Sequence, residues 1–129
     1  MTGTKNKEIH RVLCALVADF ENDSDFVSDF LLTVKTETSE YASRTELLID
    51  HHNKISITEV KRIAHLLKSA AGTLHLDADS ITANSLEQEF AELEHSMQDI
   101  SASQLQRLRS TILKVHATAS NMLMELESW

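Results

Sequence analysis

The chain has 129 residues, no proline, two glycines and a formal net charge of −8 with its seven histidines neutral. One domain is expected at this length, and an all-helical one, because residues that make tight turns are nearly absent. The acidic balance argues against a nucleic-acid partner, which needs a basic face, and against an acidic membrane surface.

Taken in chain order, apolar residues recur with the 3.6-residue period of helices, which are expected at about 5–20, 25–51, 57–75, 79–97 and 102–127. In the first, Ile9, Leu13, Leu16 and Phe20 share a face that Val12 and Val17 widen. The cluster Glu21, Asn22, Asp23, Ser24, Asp25 supplies stop and N-cap residues. The second helix carries Phe26, Phe30, Val34, Tyr41 and Leu48 along one side and frays near His51, His52 and Asn53. Ser56 and Glu59 have the spacing of a capping box for the third helix, whose stripe is Val60, Ile63, Leu67, Ala70 and Leu74. Asp77 or Asp79 caps the fourth, with Ala83, Leu86, Phe90, Leu93 and Met97 as its stripe. Ser101 or Ser103 opens the fifth, where Leu105, Leu108, Ile112, Val115, Ala119, Met122 and Leu126 lie near heptad spacing. Short links between long helices make neighbours antiparallel. The expected architecture is all-α: an up-and-down antiparallel four-helix bundle, with the N-terminal helix packed across it.

The apolar run at 12–17 is far shorter than the roughly 20 residues that span a bilayer, and no signal-peptide core precedes it. Cys14, the single cysteine, cannot form an internal disulfide and is expected as a small buried hydrophobe. A cytoplasmic, reducing location and a free-standing monomer are expected.

Gly72 stands out, because glycine inside a helical pattern costs about 1 kcal/mol relative to alanine. On a helical wheel the stripe of the third helix lies on one side and His65 on the other. Lys68, Ser69, Gly72 and Leu76 fall within about 60° of His65 by the same rotation. Gly72 is therefore not required by the core, and small residues beside His65 let a bulky group approach. Neutral imidazole is a good nucleophile near neutral pH, and a lysine one turn on can reach phosphoryl oxygens. The pair His65 and Lys68 is thus a sensible phosphoryl acceptor, although an ordinary surface histidine beside a surface lysine would look the same.

The stretch AHLLKSAAGTL at 64–74 resembles the signature of histidine-containing phosphotransfer (HPt) domains, and Leu86 with Glu87 sits where that family has a Leu-Glu or Leu-Gln pair. The resemblance implies a phosphocarrier rather than an enzyme, with His65 phosphorylated on Nε2 and Lys68 steadying the group. It implies no cofactor of the chain's own, Mg²⁺ being carried by the partner. That partner is a response-regulator receiver domain, supplied by a sensor or hybrid histidine kinase, which docks over Leu66, Ser69, Gly72 and Leu76. Ser69 and His75 stand where the family usually has glycine, and His75 is expected to flank the site. An adaptor or inhibitor of the same fold that docks without carrying phosphate is the second expectation, and an unrelated structural bundle the third.

Other residues carry less. His51 and His52 point about 100° apart on a helix and lack ligand spacing, so no metal site is expected. A di-iron bundle would need Glu-x-x-His motifs facing inward on two helices, and only the stretch Glu92, Leu93, Glu94, His95 comes near. His10, His95 and His116 read as surface residues. Glu87, Glu89, Glu92 and Glu94 read as a solvated face, and Cys14 lacks an electropositive setting in its own segment.

Overall fold

A computed structural model describes residues 4–51 and 57–129. Five helices occur among them: α1 (Thr4–Asp19), α2 (Ser24–His51), α3 (Ile57–Thr73), α4 (Asp77–Ser96) and α5 (Ala102–Glu127). No strand is present among the described residues, and none of their helices is long and apolar enough to cross a membrane. The helices pack as a bundle. α3 lies mainly on α4 and α2 mainly on α5, with α5 also touching α3 and α4, and α1 resting on α5 and α2. Cross-helix bonds fix the directions. Lys61 meets Glu94 while Lys68 meets Glu87, so α3 and α4 run antiparallel. Thr38 meets His116 while Glu46 meets Arg109, so α2 and α5 do too.

Helix ends follow local chemistry. The Asp23 carboxylate accepts from the Phe26 N–H at 3.0 Å, which makes Asp23 the cap that starts α2. Ser101 opens α5 with a reciprocal capping box to Gln104, leaving Ser103 inside the helix. α4 starts without a side-chain cap: Asp77 and Asp79 were expected at that position but lie in the first turn, where their charges favour the helix dipole. The proposed box at Ser56 falls outside the described residues, as do His52 and Asn53.

With glycine so scarce, other residues take the left-handed backbone that commonly ends a helix. Glu21, His75 and Met97 have φ of 58°, 61° and 58°. After α3, the Leu76 N–H donates to the Ala71 carbonyl at 2.8 Å and the His75 N–H to the Gly72 carbonyl at 3.2 Å, the two bonds of a Schellman ending. α1 ends the same way, with Asn22 bonding Val17 and Glu21 bonding Ala18.

The core is continuous through all five helices, with Phe90, Leu13, Leu16, Leu31, Leu67, Leu86, Leu108, Ile112 and Met122 fully buried. Two expected stripes are corrected. The core line of α2 is Val27, Leu31, Val34, Thr38 and Thr45, while Phe26 is half exposed. This line lies about 60° round the helix from the expected stripe, and two of its members are polar by type. Thr38 and Thr45 satisfy their hydroxyls on the Val34 and Tyr41 carbonyls one turn back, at 2.7 and 2.8 Å, and so can be buried. Met97 does not extend the α4 stripe, because its left-handed backbone turns the chain away and leaves the side chain 92% exposed.

Met97 therefore holds a costly backbone conformation with little packing in return. Met97→Gly is expected to be about 1 kcal/mol more stable than Met97→Ala, read from urea unfolding midpoints at equal slope.

Candidate functional site

The site is built where α3 meets α4. Val60, Ile63, Ala64, Leu67 and Ala71 are buried and pin one face of α3 to the core. His65 must then face outward, and its side chain is 57% exposed. The ring is nevertheless held: its Nδ1–H donates to Glu87 Oε2 of α4 at 2.7 Å. The Lys68 ammonium donates to the other oxygen of the same carboxylate at 2.8 Å and more weakly to Asn84 Oδ1 at 3.4 Å. One carboxylate thus bridges the histidine and the lysine.

Glu87 is held below its ordinary carboxyl value of 4.5, first by the Lys68 bond and then by His65, against the opposing effect of burial. It is therefore an acceptor at neutral pH, which fixes the proton of the neutral ring on Nδ1. The lone pair is left on Nε2, for which no hydrogen-bond partner occurs among the described residues. A nucleophilic nitrogen facing solvent, a cation beside it and an orienting carboxylate behind it can accept an electrophilic group from outside.

The remaining residues expected at the site divide. Ser69 and Gly72 are exposed on α3, and Leu66 is half-buried. Gly72 has ordinary helical backbone, and a Cβ there would meet only Ser80 Oγ at 3.6 Å, an ordinary contact. Leu76 and His75 are not beside His65, because the helical rotation that placed them there stops when α3 ends at Thr73. The left-handed turn at His75 carries Leu76 inward against the core, where it lines a cleft with Ile9 and Val12 of α1 and Met122 of α5. The His75 imidazole bonds Asp19 of α1 at 2.9 Å instead.

Asn84, and the bridging role of Glu87, went unread in the sequence. The glutamates taken for a solvated face are largely cross-helix partners. Glu87 takes His65 and Lys68, Glu89 takes Gln104 and Arg107, and Glu94 takes Thr58 and Lys61. A signal was present, since Lys61 and Lys68 are two turns apart on α3 and Glu87 and Glu94 two turns apart on α4.

His116 and His10, away from the site, are also engaged. His116 is half-buried between α2 and α5, 3.0 Å from Thr38 Oγ1. Cys14 is exposed rather than buried, with its Sγ 3.6 Å from His10 Nε2, and His10 Nδ1 lies 2.8 Å from Glu125 Oε1. Leu13, Leu16 and Val17 point inward, whereas Cys14 and Ala15 lie outside that buried arc of α1. Among the described residues no group of three or more His, Cys, Asp or Glu side chains has the geometry to hold a metal ion. Set against known proteins, the chain matches no family model, no curated protein and no solved structure.

Two outcomes test this geometry. Because the Glu87 carboxyl is lowered on folding, its bonds stabilise fully above 4.5 and are lost as pH falls through the lowered folded value. Glu87→Gln is expected to cost about 1 kcal/mol near pH 7, with the difference from wild type shrinking as pH falls below 4.5 in thermal unfolding series. Gly72→Ala is expected to raise stability by about 0.5–1 kcal/mol, since helix propensity improves and no close contact opposes the methyl group.

Proposed function

We propose that the chain is a histidine phosphotransfer protein of a His-Asp phosphorelay, with His65 as the phosphoryl carrier. The observation that supports this best is the orientation of the His65 ring. The Glu87 carboxylate takes the Nδ1 proton and leaves Nε2 as the outward nucleophile, with Lys68 one turn away. In such a relay Nε2 attacks the phosphorus of an aspartyl phosphate in a receiver domain. The P–N bond forms as the P–O bond breaks, and the receiver carboxylate leaves with the bonding electrons. Mg²⁺ on the receiver and Lys68 on this chain offset the phosphoryl charge. The fold that goes with this reading is an up-and-down four-helix bundle of α2 to α5 with α1 packed across it, monomeric and cytoplasmic. The chain needs no nucleotide site of its own, because it only relays a group received from a sensor or hybrid kinase or a receiver. Leu66, Ser69 and Gly72 offer the docking surface around the histidine.

One observation favours a second reading, an adaptor that docks on a receiver or kinase without transfer. The Lys68 charge is already neutralised by Glu87, so it must leave that partner before it can serve a phosphoryl group.

Incubation with phosphorylated receiver domains and Mg²⁺ separates the two. Acid-labile, base-stable label is expected on the wild type and absent from His65→Gln, and Lys68→Ala is expected to slow transfer about tenfold or more. Receiver binding without label on the wild type would establish the adaptor instead.

A further inference from the structure

We infer that Glu87 sets the lifetime and transfer potential of the phosphoryl group on His65 by holding the ring proton, an inference that rests on His65 being the acceptor. Glu87 Oε2 lies 2.7 Å from His65 Nδ1 and its Oε1 2.8 Å from the Lys68 ammonium. The ring that attacks already carries hydrogen on Nδ1. When Nε2 bonds phosphorus and the donor's leaving group departs with its electron pair, the ring becomes a cation.

The fate of that cation depends on its proton. From the protonated ring, cleavage of the P–N bond releases neutral imidazole, a good leaving group. If Nδ1 loses its proton, cleavage must expel an imidazolate, a far poorer one. A carboxylate at hydrogen-bond distance favours the charged ring, whereas an amide in its place would keep an acceptor and lose the charge. Glu87 thus keeps the phosphoryl group mobile above the pH at which an unassisted ring would hold it.

Lys68 couples to this. In the free chain it shares the carboxylate with the ring. Once it turns to the phosphoryl oxygens, the full carboxylate charge falls to the ring proton. The groups facing Glu87 are His65 and Lys68 from α3, with neutral Asn84 beside them on α4. Among the described residues no ion pair from α1, α2 or α5 reaches it.

The test uses chemical phosphorylation, which needs no docking partner. The whole chain is treated with phosphoramidate, whose P–N bond breaks with release of ammonia as the bond to Nε2 forms. After removal of reagent, loss of label to water is followed by intact mass from pH ~5 to ~10 in wild type, Glu87→Gln and His65→Gln. Loss is expected to be about three- to tenfold slower in Glu87→Gln near pH 8, converging with wild type in acid where both rings are protonated. The pH at which loss slows is expected to move down by about half a unit to one unit in that variant. A purely positional role predicts unchanged profiles, because glutamine still accepts the Nδ1–H bond. Equal lifetimes across the range therefore overturn the inference and leave the acceptor reading standing. Failure to label the wild type, or label that persists in His65→Gln, overturns the acceptor reading and this inference with it.

Discussion

The antiparallel register of α3 on α4 is the constraint on which the site depends. It is set by apolar burial: Leu67 and Ala71 from α3, Leu74 just past its end, and Ala83, Leu86 and Phe90 from α4 are removed from water almost completely. Burial of one of these leucines or of Phe90 stabilises by roughly 1.5–3 kcal/mol, more than an exposed ion pair between the helices contributes. The polar ladder of Lys61 with Glu94 and Lys68 with Glu87 follows the register that packing imposes. A slip of one helical turn would part Glu87 from His65, so packing in the core decides which nitrogen of a surface histidine is nucleophilic.

The same economy of glycine runs through the molecule. Three helices end on left-handed residues that are not glycine, and each ending redirects the chain within a few residues. At His75 the redirection changes the surface around the candidate site. It removes Leu76 from the face of His65 and ties the end of α3 to α1 through Asp19, so the outer surface near the histidine is made by Ser69, Gly72 and the neighbouring turns of α4.

How much of this was legible in the sequence differs by kind of feature. Helix positions were, because the period of apolar residues and the caps at Asp23 and Ser101 are local signals. Their bounds lie within two residues of those expected. The outward face of His65 was legible for the same reason. The α2 core line was not, since Thr38 and Thr45 are polar by type and become buried only by bonding carbonyls of their own helix. Nor was the place of His75 and Leu76, because a helical wheel has no information about where the helix stops. Cys14 was misplaced by its apolar neighbours, which face the core from adjacent turns while the thiol faces out.

Composition and periodicity by themselves determined an all-helical chain of five segments and put an exposed histidine one turn from a lysine. Both depend only on residues within a few turns of each other. Tertiary structure alone decided that Glu87 lies against His65 and Lys68, that Asn84 stands beside them, and that Glu89 and Glu94 are partners rather than a solvated face. The His65 and Glu87 side chains are separated by 22 positions in the chain. Nothing local to either residue carries their distance, which arises only when two apolar faces close on each other and fix the register between helices.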